Sequence, residues 1–93
     1  MKSKEKAKAQ HLRQSRWWQT LVQKCSCYYC GASLTPTTVT MDHIVPLSRG
    51  GASTRGNVVP ACKECNTAKG DSTAAELLLR RSLSVVDNVS ENL

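Results

Sequence analysis

Two Cys-x-x-Cys pairs, Cys27-Tyr28-Tyr29-Cys30 and Cys62-Lys63-Glu64-Cys65, stand in separate halves of a chain of only 93 residues. Four thiolates at this spacing satisfy one tetrahedral zinc ion. Closing both pairs on one ion draws two distant segments together, and this restricts the fold more than any other feature. A chain this short buries little surface, and domains of its size commonly rely on a metal or on disulfides. It has no Phe and few aromatic residues of any kind. The cysteines are therefore read as structural.

Disulfides are the competing use. The cysteine count, five, is odd. The N-terminus, Met1-Lys2-Ser3-Lys4-Glu5-Lys6, is charged and lacks the apolar run of a secretory leader. No stretch is long enough to cross a bilayer, so no membrane partner is expected. A reducing cytoplasm, where thiols bind metal, fits better. Cys25 is an alternative first ligand, since Cys25 to Cys30 is also a usable spacing. Cys27 is preferred because it makes the two knuckles alike. Cys25 instead falls on the apolar register of the preceding helix, where a buried free thiol is common.

Charge is unevenly spread. The net value is +6, and residues 1–24 alone hold seven basic residues and one acid. Such an arm suits a polyanion such as DNA or RNA. The plain alternative is a solvated helix whose lysines only keep the protein soluble.

Residues 2 to about 24 read as one helix, with Leu12, Trp18, Leu21, Val22 and Cys25 near helical spacing. The first ten residues have no apolar face, so fraying is expected there. One of Trp17 and Trp18 should pack in the core, and His11 should be exposed. Cys27 to Gly31 reads as a tight metal-binding turn. Residues 37–42 alternate and are β-rich, predicting a strand. Residues 48–56 form a glycine-rich loop, and 57–60 a short return strand. A helix from Cys62 should stop at Gly70. Thr73-Ala74-Ala75-Glu76 matches a capping box, opening a last helix through about Leu83 with Leu77, Leu78, Leu79 and Leu83 on its apolar side. The domain plan is a basic arm (1–24), a catalytic or binding unit (25–84) and a loose tail (85–93), in a single domain.

Between the knuckles lies Asp42-His43, and Asn66 follows the last cysteine. A four-cysteine site is closed and cannot activate water, so chemistry needs other ligands. Asp42 and Asn66 supply oxygen donors suited to a hard ion such as Mg²⁺. His43 is suited to take a proton from an attacking water. Each has a dull reading as well. A His beside Asp on a strand is ordinarily a hydrogen-bonded structural residue. Gly56-Asn57 is ordinarily a turn. Asn66 can cap a helix, and Lys69 can be a last-turn lysine. Their joint occurrence in order favours chemistry.

Cys-x-x-Cys-Gly, Asp-His-Ile-Val-Pro-Leu-Ser-Arg-Gly-Gly, Asn-Val-Val-Pro-Ala-Cys-x-x-Cys-Asn and Lys69, spanning roughly residues 27 to 70, resemble the HNH endonucleases. More narrowly they resemble the zinc-containing, restriction-endonuclease-like branch of bacteria and phages. The resemblance implies an α+β fold with a small ββα-metal (HNH / His-Me finger) core, a four-cysteine zinc, and flanking N- and C-terminal helices. It makes His43 the general base, and Asn57 the residue that braces the loop and helps orient the His. Asn66 takes the third position, where the family also uses His, and Asp42 is the other ligand of a catalytic ion (Mg²⁺, or Mn²⁺ or Ni²⁺). The implied reaction hydrolyses DNA phosphodiesters to 3′-hydroxyl and 5′-phosphate ends. The host would be a bacterial cell or a phage-infected one. Neighbouring strand residues face opposite ways, so the strand must end, bulge or twist for Asp42 and His43 to converge.

Arg49, Arg55, Lys63 and Lys69, with Arg13 and Arg16 of the arm, are the candidate phosphate contacts. Little chain remains to read base edges, so sequence preference should be limited. The number of copies is open: a monomer is compatible, and two-strand cutting would call for a dimer or two successive nicks. The rival readings are a non-catalytic zinc module that binds nucleic acid and a protein-interaction knuckle. A thioredoxin-like redox role lacks the βαβ pattern around either pair.

Overall fold

The computed structural model describes residues 2–91 of the chain and the side chains of residues 4–83. Four helices and two small antiparallel sheets are found among them, a mixed α/β arrangement. No described helix is long and apolar enough to cross a membrane.

The arm is two helices, α1 (Lys2–Gln14) and α2 (Arg16–Leu21), where one was expected. Ser15 breaks it with an extended backbone (φ −69°, ψ 151°). Its Oγ donates to the Leu12 carbonyl (2.6 Å) and accepts from the Trp18 amide (3.3 Å). A serine hydroxyl competes for backbone groups in this way, ending one helix and capping the next. The turn lets Trp18 and Val22 pack on Val58, with Trp17, Leu12, Leu21 and Met41 at the margin. The start of the arm is also not free: Ala9 is buried, and Glu5 is bonded twice to Ser53. His11 is exposed as expected.

A two-residue ribbon unforeseen from the sequence pairs β1 (Cys25–Ser26) with β2 (Ser33–Leu34). The first knuckle is its turn, closed by Cys27 N–H to the Ala32 carbonyl (2.8 Å) and Gly31 N–H to the Cys27 carbonyl (2.9 Å). The main hairpin is β3 (Val39–His43) with β4 (Val58–Cys62), in register from Val39↔Cys62 to His43↔Val58. β3 begins later than predicted because Thr35–Thr38 forms a turn, Thr38 N–H donating to the Thr35 carbonyl (3.0 Å). Pro60 is tolerated in a two-stranded ribbon, where a missing N–H on the outer side breaks no ladder bond. Its carbonyl accepts from the Tyr28 amide (2.9 Å), tying the first knuckle to the hairpin.

The connection from Ile44 to Asn57 carries two single turns of 3₁₀ helix, Leu47–Arg49 and Arg55–Asn57. Gly51 closes the first part with a bond to the Pro46 carbonyl (2.9 Å). A Cβ there would lie 1.8 Å from the Val45 carbonyl oxygen, so no larger residue fits without moving backbone.

α3 (Lys63–Lys69) starts at Cys62, whose Sγ accepts from the Cys65 amide, and stops at Gly70 (φ 52°) as expected. The capping box is present: Thr73 N–H donates to Glu76 Oε1 (2.9 Å), and Glu76 N–H to Thr73 Oγ1 (3.2 Å). α4 (Ala74–Glu91) does not end near Leu83. No Gly or Pro follows Gly70 to stop it. The expected tail therefore begins inside this helix, and its side chains and residues 92–93 lie outside the described residues. Of its four leucines only Leu77 is buried; Leu78, Leu79 and Leu83 are exposed. α4 is held at its start by Ala74 N–H on the Ile44 carbonyl (3.0 Å), which serves one face of the helix only.

Candidate active site

The four sulfurs of Cys27, Cys30, Cys62 and Cys65 lie within 4.8 Å of one another, and those of Cys30 and Cys62 are 3.9 Å apart. A tetrahedral ion with bonds of about 2.3 Å holds its sulfurs about 3.8 Å apart, so the cluster fits zinc with slight contraction. The thiols of Cys27 and Cys65 differ in their electrostatics. Burial would push the Cys27 thiol up, but backbone N–H groups of Cys62, Cys30 and Tyr29 bring it down to about 6. Cys65 is instead pushed up to about 12, by burial first and by its neighbouring sulfurs, against an opposing bond from Arg81. Like charges this close oppose one another's ionisation. Cys25 lies on β1 outside the cluster, and burial pushes its thiol up. The geometry thus selects Cys27.

The knuckles hold β1–β2 and the start of α3 against the hairpin, and Cys27, Leu34, Ala61 and Cys65 form a small core there. Between the end of β3 and α3 a cleft of ≈ 150 Å³ is lined by Asp42, His43, Asn66 and Lys69, among others. β3 ends at His43, which meets the expected requirement that the strand stop at this pair.

Asp42 is buried and doubly engaged. Tyr29 Oη donates to its Oδ2, and Lys69 Nζ lies 3.2 Å from its Oδ1. Burial first, and then the Asp42 carboxylate, push the Tyr29 phenol up, so it stays a donor. Lys69 Nζ also donates to the His43 carbonyl (2.6 Å). Asn66 donates through Nδ2 to Thr40 Oγ1 (2.9 Å), while that hydroxyl gives its only proton to the Ala61 carbonyl (2.8 Å). The amide orientation is therefore determined, and its oxygen has no hydrogen bond among the described residues. A carboxylate and a free amide oxygen on one small cleft are a donor set that fits a hard divalent ion.

His43 Nε2 is 3.0 Å from Ser53 Oγ. Burial, helped by Arg13 and Lys69, holds the imidazole below its ordinary value, while Asp42 and Glu5 oppose. The ring is thus neutral at neutral pH, the form a general base requires.

Asn57 does not line this cleft, and among the described residues its side chain makes no hydrogen bond to His43. Its Nδ2 donates to the carbonyls of Val45 (3.0 Å) and Ala52 (2.8 Å), and its Oδ1 accepts from the Val45 amide (2.9 Å). Its own carbonyl accepts from the Ile44 amide (2.8 Å). It fastens both ends of the loop that follows His43.

The candidate phosphate contacts are dispersed. Arg49 pairs with Glu76, and the Arg55 guanidinium sits 5.3 Å from the centre of the Trp17 ring. Lys63 and Arg16 are exposed. Lys69 is buried on Asp42 rather than displayed. Arg13 and Lys6 line, with His43, a groove of ≈ 460 Å³ between α1 and the cleft. Sequence reasoning missed Tyr29, Thr40, Ser53 and Arg81, the last donating to Cys65 Sγ (3.4 Å). Tyr29 had a signal in its place within a knuckle. Ser53 had none, since its partner Glu5 is 48 residues away.

A family model described as HNH endonuclease matches residues 27–81. Two curated relatives are the CRISPR-associated endonuclease Cas9 of Corynebacterium diphtheriae and that of Actinomyces naeslundii. The first is 44% identical over 54 residues, covering 57% of this chain, and the second 40% identical over 55 residues, covering 58%. The chain spans 5% of the length of either relative.

Proposed function

This chain belongs to the HNH endonuclease family, and on that premise we propose that it is a metal-dependent DNA endonuclease. A nuclease is what the family and its relatives support at the coarser level. The finer assignment rests on one observation: Asp42, His43 and Asn66 line the same cleft. In this proposal Cys27, Cys30, Cys62 and Cys65 hold a structural zinc, within a ββα-metal core made by β3, β4 and α3. Asp42 and Asn66 hold a catalytic divalent ion, Mg²⁺ or another such as Mn²⁺ or Ni²⁺. That ion supplies charge neutralisation at the scissile phosphate, a contribution of several kcal/mol.

The chain's own residues do the rest. His43 takes the proton of the attacking water, an effect of about 10²–10⁴-fold. Lys69 positions Asp42 and the end of β3. Asn57 keeps the following loop from pulling His43 out of line. The arm and exposed Lys63 approach the DNA backbone. If about five cations engage phosphates, affinity falls as about the 4.5th power of salt concentration. The setting is the cytoplasm, where thiols stay reduced.

The test is plasmid cleavage with Mg²⁺, Mn²⁺ and Ni²⁺ over a range of salt, with zinc content measured on the same samples. Wild type should nick or linearise the plasmid, and His43→Ala should bind DNA without cutting it. A wild type that binds DNA but leaves it intact with every ion would replace the proposal by a non-catalytic zinc module.

A further inference from the structure

Ser53 is buried in the loop between the two strands, and its hydroxyl stands between the N-terminal helix and the candidate base. It lies 2.7 Å from the Glu5 carbonyl oxygen and 3.0 Å from His43 Nε2. A hydroxyl has one proton to give. A carbonyl oxygen has none, so the proton of Ser53 must go to Glu5. The contact with His43 then has only one polarity: Nε2–H donates and Ser53 Oγ accepts. The imidazole is left with its lone pair on Nδ1. That nitrogen has no hydrogen bond among the described residues. No buried side-chain nitrogen or oxygen among them lacks a partner, so Nδ1 is open to solvent. The arrangement is pinned a second time, because Glu5 Oε2 accepts from the Ser53 amide (2.7 Å).

We propose that Ser53, held by Glu5 of the N-terminal helix, is a positioning residue that keeps the proton of neutral His43 on Nε2 and leaves Nδ1 as the atom that receives the proton of the attacking water. The proposal deepens the nuclease assignment and rests on His43 being the base. It gives α1 a role apart from its charge. The helix lies outside the segment that matches the family, yet it supplies the acceptor that determines which ring nitrogen is basic. Without that acceptor the hydroxyl is free to rotate and donate to Nε2. The ring would then carry its proton on Nδ1, and the basic nitrogen would point at Ser53 instead of the substrate.

The test begins with ¹⁵N NMR of the imidazole in protein purified as expressed, with no divalent ion added, in mildly alkaline buffer where the ring is neutral. Wild type should show the His43 proton on Nε2. A proton on Nδ1 overturns the proposal, whatever the protein does to DNA. Ser53→Ala should give a mixture of the two forms and lower kcat by at least about tenfold with KM little changed, as expected when a base is left in the wrong tautomer. Ser53→Thr keeps the hydroxyl and should restore both readouts. An unchanged tautomer and kcat in Ser53→Ala would overturn the positioning role. If Ser53→Ala does not fold, Glu5→Lys, which unseats the helix from Ser53, should give the same mixture, and an unmixed Nε2 form there counts against the proposal. Absence of any cleavage by wild type would remove the nuclease assignment instead, while the NMR result still judges the hydrogen-bond chain.

Discussion

Lys69 Nζ lies 3.2 Å from Asp42 Oδ1, and both side chains are almost sealed from solvent, at 2% and 4% exposure. A buried pair of this kind adds little over apolar residues of similar volume, but removing one partner strands a charge. Lys69→Met should therefore destabilise the fold by about 3 kcal/mol. Lys69→Met with Asp42→Asn should recover much of that loss, because no charge is left unpaired. Urea denaturation of the two variants checks this, and equal loss in both would contradict it.

Zinc content separates the two candidate cysteine sets. Wild type should carry one zinc per chain, and a strong chelator should remove it with loss of the helical circular-dichroism signal. Cys27→Ser should lose the metal. Cys25→Ser should keep it, since Cys25 lies outside the sulfur cluster. Elemental analysis reads the result directly.

Asn57 makes three side-chain hydrogen bonds that close the loop after His43. At about 1 kcal/mol net for each, Asn57→Ala should cost about 2–3 kcal/mol. Cleavage should fall more than DNA binding does, because the loss acts through the orientation of His43. Asn57→Asp keeps an acceptor but forfeits both donor bonds, and it should recover only part of the stability.

The pH dependence follows from His43. Burial, its main cause, lowers its folded-state value below the ordinary histidine value of about 6.5. Protonation is thus harder in the folded protein than in the unfolded chain. Below the ordinary value the unfolded state binds more protons, so this group costs stability as pH falls through that window and nothing above it. As a base, His43 should be neutral down to the same window. The acid limb of kcat/KM should accordingly have its midpoint below about 6.5, with a plateau at neutral pH. Cleavage rates between mildly acidic and neutral pH test the limb, and a midpoint above the ordinary value would rule out burial as the dominant influence.

Features encoded within a few residues were legible. The knuckles, the helix ending at Gly70 and the reciprocal cap of Thr73 and Glu76 each depend on neighbours in sequence, and each is found in the structure. The break at Ser15 was equally local but was outweighed by the helix-forming residues around it. Serine in a helical run is ambiguous until its hydroxyl finds a partner. The burial of Lys69 is not legible in the sequence, because a last-turn lysine is ordinarily exposed and only the packing of α3 on β3 encloses it. Spacing puts the leucines of α4 on one apolar side, yet Leu77 alone of the four is buried.

The amino acids by themselves determined which groups were on hand: four thiolates spaced for one ion, and a carboxylate, an imidazole and an amide suited to a second. Their types and short-range spacing carry that information, because coordination chemistry depends on the donor atom. Only the tertiary structure decided which sulfurs meet, which carboxylate oxygens Tyr29 and Lys69 occupy, and which nitrogen of His43 faces Ser53. Those outcomes depend on contacts between residues far apart in the chain, down to Glu5 on Ser53, and no local pattern specifies where two such segments will touch.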